Sequence, residues 1–177
     1  MNGPLDMRMN QDAYISAYDL VNSLSEREIS KILRDYGEER WHNRIAHFLV
    51  EQRNRKPIET TTELSEAVLH AIPHGRPWQR IHPATRTFQA FRIAVNRELE
   101  SLEIALDHCR HYVRAGGRIV VIAFHSLEDR IVKQRFRQYV QQGDFHFVVK
   151  KPLFCRDDEM AVNPRARSSR LRVIEKR

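Results

Sequence analysis

The chain has 177 residues and a mass of 21.0 kDa, which is the size of one ordinary domain with at most a small satellite. Charged residues make up 30%, hydrophobic residues 41%, and the mean hydropathy is −0.59, a balance that argues against both wholesale disorder and a membrane protein. The longest uninterrupted apolar run, Ile119 to Phe124, is too short to cross a bilayer. The sequence predicts a soluble globular chain that makes no contact with membranes.

Thirty basic residues against 23 acidic ones give a net charge of +7 and a pI near 9.8, which favours a polyanionic partner such as nucleic acid. The excess lies in the C-terminal half, because residues 130–151 and 163–177 each contain six basic residues and one acidic residue. A solvated basic face explains these runs equally well. Two cysteines, Cys109 and Cys155, argue against a disulfide scaffold, and without a signal peptide they predict a cytoplasmic protein.

The N-terminal half has the pattern of short helices. Residues 1–10 have no periodic apolar pattern and are predicted to form a loop. Between residues 13 and 72, apolar side chains recur at helical spacing and predict three or four amphipathic helices. Ser25 with Glu28 is expected to form a capping box, and Gly37 is expected to be the left-handed residue that ends a helix.

The middle of the chain is predicted to contain one long helix. Residues 73–85 contain three prolines and a glycine, which is typical of a connecting loop. From Phe88 to Val113, apolar residues then follow one another at intervals of three and four, up to the glycine pair 116–117. This single stripe predicts one continuous helix that ends at the glycines.

The remaining residues predict a small α/β unit. Residues 119–124 are mostly β-branched, which is typical of a strand buried on both faces of a parallel sheet. Ser126 with Asp129 is expected to cap the next helix, and two further strands are predicted over 145–150 and 170–175. This order is that of one half of a doubly wound sheet. With so few strands, the first is expected to have one unpaired edge and to associate with other chains through it.

The end of the predicted central strand is the first place to look for chemistry. Ligands of α/β sheets bind beyond the carboxyl ends of the strands, which makes His125 and Ser126 candidate catalytic residues. A helix cap at Ser126 and a turn at His125 explain the same residues without chemistry. A Ser-His-acid triad is not expected, because no G-x-S-x-G motif is present and two adjacent residues do not easily face each other.

Two other segments suit phosphate binding. Residues 82–87 place Arg86 and two threonines at the start of the long predicted helix, and Arg165 with Arg167 lies beside hydroxyl side chains in a loop. An ordinary helix start explains residues 82–87 equally well, and a solvated basic loop explains the segment with Arg165 and Arg167 equally well. No glycine-rich nucleotide motif and no metal-ligand spacing among the nine histidines is present, so neither a cofactor site nor a metal site is predicted.

Four motifs together resemble one family. They are G-P-L-D-M-R-M at 3–9, H-P-A-T-R-T-F-Q-A at 82–90, the stretch 116–133 with F-H-S-L-E-D-R at 124–130, and N-P-R-A-R-S at 163–168. In this order and spacing they are similar to the bacterial S-adenosylmethionine-dependent methyltransferases that modify N4 of a cytidine in the decoding region of small-subunit (16S) ribosomal RNA. The resemblance covers essentially the whole chain.

The resemblance implies an α/β fold, namely the last strands of a partial Rossmann-like class I methyltransferase sheet with an inserted all-α domain. Residues 1–12 would be a loop of the methyltransferase domain, 13–80 the inserted domain, and 81–177 the C-terminal part of the methyltransferase domain. The family's N-terminal portion, which holds the donor S-adenosylmethionine, is expected to be missing here. The resemblance therefore assigns no cofactor-binding residue to this chain.

The resemblance also implies functional residues and partners. The catalytic candidates are His125 and Ser126. The candidates for contact with substrate or RNA are Asp6, Arg8, Arg86, Arg165 and Arg167, and structural ion pairing is an equal alternative for the last three. The implied partners are small-subunit ribosomal RNA or the small ribosomal subunit, with a separate N-terminal fragment or a second copy of the chain. Three hypotheses follow for the chain itself: part of an active methyltransferase, a noncatalytic RNA-binding remnant, or an inactive and unstable fragment.

Overall fold

The computed structural model describes residues 2–73 and 82–177. The chain divides into two compact units, Met1–Glu98, called here the helical unit, and Leu99–Arg177, called the sheet unit. The helices of the described residues are α1 (Ala17–Ser23), α2 (Glu26–Gly37), α3 (His42–Arg55), α4 (Thr61–Ala71), α5 (Thr85–Asn96), α6 (Glu98–Tyr112), α7 (Ser126–Gln141) and α8 (Asp157–Val162). The strands are β1 (Arg118–Ala123), β2 (Phe145–Phe147), β3 (Leu153–Phe154) and β4 (Arg170–Lys176).

The predicted series of short helices in the N-terminal half is confirmed as α1 to α4. Local signals start them, because α1, α2 and α4 each begin with a capping box, and that of α2 is the predicted pair Ser25 and Glu28. Their apolar faces join α5 in one core. Its fully buried members include Val21, Ile29, Leu33, Ile45, Leu49, Leu64, Val68 and Phe91.

The prediction for Gly37 is wrong by one residue. The left-handed residue after α2 is Glu38, with φ of 48°, and Gly37 is the last residue of the helix. A β-carbon on Gly37 would lie 2.8 Å from the carbonyl oxygen of Arg86 in α5. Glycine is required here because α5 packs closely against α2, and not because the chain turns.

The prediction of one long helix is also wrong. Arg97 has a φ of 49°, and this left-handed residue ends α5 at Asn96 before α6 begins at Glu98. Two interactions hold the break: Arg92 pairs with Glu98 at 2.8 Å, and the Asn96 amide donates to the carbonyl of Met7 at 2.8 Å. The break divides the apolar stripe between two cores. Phe88, Phe91 and Val95 pack in the helical unit, and Leu102, Leu106, Cys109 and Val113 pack in the sheet unit.

The sheet is antiparallel and not parallel as predicted. Its strand order is β1-β4-β2, and β3 also pairs with β4. Only one face of β1 is covered, because Ile119 and Ala123 are buried whereas Val120 and Ile122 are 54% and 53% exposed. Within the described residues, β4 is the only neighbour of β1, so the other edge of β1 is unpaired. A continuous run of β-branched residues occurs in both parallel and antiparallel strands. Its composition alone does not show whether one face or both faces of the strand are covered.

The mixed α/β content is confirmed. The core of the sheet unit forms where α6 and α7 pack on the covered face of the sheet, around Phe136, Tyr139, Phe145 and Ile174. Across residues 2–73 and 82–177, every helix falls short of the length and apolarity needed to cross a membrane. The predicted domain boundary at 80/81, and most of the predicted loop 73–85, lie outside the described residues.

Candidate functional site

The turn after β1 is a helix cap built around His125. His125 is the N-cap of α7, and its Nδ1 accepts a hydrogen bond from the backbone amide of Glu128 at 3.3 Å. The Glu128 carboxylate in return accepts from the amides of Phe124 and His125, at 2.8 and 3.3 Å. The predicted cap of Ser126 with Asp129 is therefore wrong by one residue. The sequence signal was misleading because His is less common than Ser at N-caps.

The cap fixes the protonation pattern of His125. An Nδ1 that accepts a hydrogen bond carries no proton, so the neutral ring carries its proton on Nε2. Nε2 lies 3.5 Å from an oxygen of Glu128, and the side chain of His125 is only 12% exposed. Ser126 follows as the first residue of α7. In this arrangement His125 holds the strand-to-helix turn in place.

Asp129 is committed to β4 and not to a cap. Its carboxylate accepts hydrogen bonds from Arg172 at 2.7 and 3.1 Å and from Arg170 at 3.0 Å. Burial opposes its ionisation, but these hydrogen bonds outweigh burial and lower the pKa of Asp129 below its usual value. Sequence reasoning missed this cluster. A signal was present, because Arg170 and Arg172 lie two residues apart on a predicted strand. Their side chains therefore share one face, where two neighbouring cations favour an acidic partner.

Asp6 and Arg8 are brought together as a bidentate pair. Arg8 Nε lies 2.7 Å from one Asp6 oxygen and Nη2 lies 2.8 Å from the other. Hydrogen bonds from the side chain and backbone of Arg8 lower the pKa of Asp6 to about 2. Met7 between them has a φ of 64°, in the left-handed region. The carboxylate of Asp6 is thus ionised at neutral pH and is bound by Arg8.

The Asp6–Arg8 pair borders an open cleft of the helical unit. Asp19 and Glu59 also line this cleft. Asp19 is already held by the capping box of α1, where its carboxylate accepts from the Ser16 hydroxyl at 2.6 Å. The cleft therefore combines several acidic groups with one arginine, a composition that suits an amine-bearing ligand better than a phosphate.

Arg86 is used inside the helical unit. Its Nη1 donates to the carbonyl of Glu38 at 3.0 Å, which satisfies a backbone group at the end of α2. The start of α5 has no side-chain cap, and a nearby open cleft is lined by hydroxyl groups, His82 and the acidic Glu66. RNA binding and structural ion pairing were the two alternatives for Arg86. The structure shows a structural contact, but its partner is a backbone carbonyl and not a carboxylate.

Arg165 and Arg167 lie in a short 3₁₀ segment, Pro164–Ser168, at the surface of the sheet unit. Asn163 caps the segment by accepting from the Arg165 amide at 3.2 Å. Both arginine side chains are exposed, and neither forms an ion pair with another residue of 2–73 or 82–177. Their guanidinium groups are available to an external anion.

A family model described as the MraW methylase family matches residues 1–177. The chain belongs to this family. It is similar to proteins named ribosomal RNA small subunit methyltransferase H, with 48% identity to that of Geobacter sp. strain M21 and 50% to those of Geotalea uraniireducens strain Rf4 and Geobacter sulfurreducens. Each alignment covers 99% of this chain and 61% of the relative. The chain thus spans about three fifths of the length of the curated relatives it matches.

The turn between β1 and α7 does not fit the methyl donor of a methylase, S-adenosylmethionine. Such a ligand needs close backbone approach at a strand-to-helix turn and an acidic group that is free to accept from the ribose. The turn between β1 and α7 contains no glycine, and His125 already occupies the Glu128 amide of its first helical turn. Asp129, in the first turn of α7, is held by Arg170 and Arg172.

The helix cap at His125 predicts how the turn between β1 and α7 responds to mutation. His125→Ala should lower the free energy of unfolding of the sheet unit by about 1 kcal/mol, because the Glu128 amide loses its acceptor. His125→Asn should keep most of that stability, since asparagine is a good N-cap. Urea denaturation and hydrogen exchange of the α7 amides measure both effects. Equal losses in the two variants would show that the cap contributes nothing.

Proposed function

We propose that this chain acts as part of an enzyme that transfers a methyl group from S-adenosylmethionine to N4 of a cytidine in the decoding region of small-subunit (16S) ribosomal RNA. The observation that carries the proposal is the 48–50% identity, over 99% of the chain, to proteins named for methylation of the small-subunit RNA. The net charge of +7 supports it, because an RNA substrate is a polyanion.

The same proposal assigns roles to the two units. We infer that the sheet unit belongs to the C-terminal part of a Rossmann-like methyltransferase domain, and that the helices within residues 13–80 form a domain inserted into it. The helices of residues 13–80 pack in a core that is separate from that of the sheet unit, which supports an insertion, although this core also includes Leu5 and Phe91 from outside 13–80. In this assignment the donor is held by residues that are not among these 177.

Methyl transfer to N4 requires hydrogen-bond acceptors beside the amine of the cytidine. The lone pair of N4 is delocalised into the ring, and an oxygen that accepts the amine protons helps to free it as the new bond forms. Asp6 is suited to this because Arg8 keeps it ionised. We propose that Asp6 and Arg8 contact the substrate, and that His125 and Ser126 are the catalytic candidates.

The target base must leave its stack before its edge can reach such a pocket. Exposed cations that hold the flanking phosphates stabilise the splayed nucleotide. Arg165 and Arg167 are suited to this role, since both guanidinium groups are exposed in a short surface segment. Arg86 is proposed for the same role, although one of its nitrogens already donates to Glu38.

A second candidate function is RNA binding without catalysis. It is favoured by one observation, the poor fit of the turn between β1 and α7 to the methyl donor. A chain that binds small-subunit RNA but never acquires a donor would be a binding remnant.

Calorimetric titration of S-adenosylmethionine separates these two functions. The donor is titrated into the purified chain alone, and then into the chain mixed with the N-terminal segment of a full-length relative. We expect binding and transfer of labelled methyl groups to small-subunit RNA only in the mixture. The matching control is the N-terminal segment without this chain. Failure of transfer in the mixture, with RNA binding retained, would favour the binding remnant, and donor binding by this chain alone would show that the donor site is misassigned.

A further inference from the structure

The outer side of α7 carries only basic and amide side chains. Its six exposed positions from Arg130 onward fall within an arc of about 140° around the helix. We call this surface the α7 basic face, and it consists of Arg130, Lys133, Gln134, Arg137, Gln138 and Gln141. No acidic residue occurs between positions 130 and 143.

The sheet unit carries an excess of positive charge, and two cations of the α7 basic face form no ion pair within the described residues. Residues 99–177 contain 16 basic and 10 acidic residues, so six of the seven net positive charges lie in this unit. Several cations of the unit are neutralised, because Arg118, Arg135 and Arg172 each lie 2.6–3.3 Å from a carboxylate. Lys133 and Arg137 form no ion pair within the described part of the chain.

The helical unit shows what an ordinary solvated face looks like. On α2, the exposed basic residues Arg27, Lys31 and Arg34 alternate with acidic ones, and Arg34 pairs with Asp35 at 2.8 Å. Mixed signs of this kind keep a helix soluble without attracting a polyanion. The α7 basic face carries positive side chains and no negative ones, which is the electrostatic footprint of a nucleic-acid surface.

The buried side of α7 argues against a membrane as the partner. A helix that binds a lipid surface lays its apolar side into the acyl chains. On α7 that side is already used, since Leu127, Val132, Phe136 and Tyr139 are at most 6% exposed. This apolar side is therefore not available to enter a bilayer.

We propose that the α7 basic face is a docking surface for the backbone of the RNA substrate. Arginine and lysine pair with phosphates, and the glutamine amides donate to phosphate or to 2′-hydroxyl oxygens. Lys133 and Arg137 are separated by a rise of about 6 Å along the helix, which lets them contact neighbouring phosphates of one strand. This inference depends on the proposed function, which makes RNA the substrate.

The test is the salt dependence of RNA binding by the full chain. Fluorescence anisotropy is measured with a labelled RNA hairpin from the small-subunit decoding region, over a series of KCl concentrations. For Lys133→Gln/Arg137→Gln, we expect the slope of log affinity against log salt to become shallower by about 1.5, and binding to weaken roughly tenfold or more at 100 mM salt. Arg27→Gln/Lys31→Gln on α2 removes the same charge and should leave the slope unchanged.

Four results would overturn the inference: an unchanged slope in the α7 variant, equal changes in both variants, failure of the wild-type chain to bind the hairpin, or a preference for anionic vesicles over RNA. Methyl transfer, measured separately in the mixture described above, distinguishes this from a failure of the proposed function. Transfer with an unchanged α7 slope refutes the docking surface alone. A shallower α7 slope without any transfer refutes the enzyme and leaves the RNA surface standing.

Discussion

Asp129→Asn is expected to destabilise the sheet unit by about 3 to 5 kcal/mol, because it leaves the guanidinium of Arg172 buried without its counter-charge. The side chains of Asp129 and Arg172 are only 8% and 12% exposed, so water cannot replace the lost partner. A loss of this size is a large part of the 5–15 kcal/mol that typically holds a protein folded. The melting temperature of the sheet unit should fall by more than about 12 °C, measured by calorimetry or circular dichroism.

The same contact predicts a pH dependence. Because the folded-state pKa of Asp129 lies below its unfolded value, its contribution to stability is complete above about pH 4 and is lost as the pH falls through the folded-state pKa. Between pH 5 and pH 2, the wild-type chain should therefore lose more stability than Asp129→Asn does. Parallel losses in the two chains over that range would contradict the assignment.

Asp158→Asn is the matched control for both measurements. Asp158 also pairs with an arginine, Arg156, but these side chains are 64% and 80% exposed. Exposed pairs contribute little, so this variant should leave the free energy of unfolding nearly unchanged. A similar loss in Asp129→Asn and Asp158→Asn would show that burial of the first pair is not what makes it important.

The purified chain is expected to self-associate through β1. This strand has an unpaired edge within the described residues, and Val120, Ile122 and the adjacent Phe124 are 53–54% exposed on or beside its uncovered face. An apolar edge strand of this kind is a template for pairing with a second copy. Sedimentation at micromolar concentrations should therefore show dimers or larger species.

A lysine on this face should reverse the association. Ile122→Lys places a charge on the exposed side of β1, where edge pairing and apolar contact are both opposed. We expect the variant to sediment mainly as a monomer. Val162→Lys is the control, because Val162 is an 88% exposed apolar residue of α8, away from the sheet. A monodisperse wild-type monomer, or equal effects of both lysines, would refute association through β1.

The local parts of the fold were predictable because their signals are local. The capping box of Ser25 and Glu28 and the apolar spacing of α2 both lie within a few residues of the structure they specify. The turn at 124–130 shows the limit of such signals. The sequence favoured Ser126 with Asp129 as the cap, but the carboxylate of Asp129 is bound by Arg172, more than 40 residues away, and His125 is the cap instead.

The sequence by itself determined the family, through four motifs in order, and it determined where most helices and strands lie along the chain. It also identified Asp6 and Arg8 as residues to examine, but not that they bind each other. Only the tertiary structure decided that β1 pairs antiparallel with β4, and that the apolar stripe 88–113 serves two separate cores. The spacing of apolar residues shows which side chains need burial. It does not show which distant residues bury them, because that depends on the pairing of segments far apart in the chain.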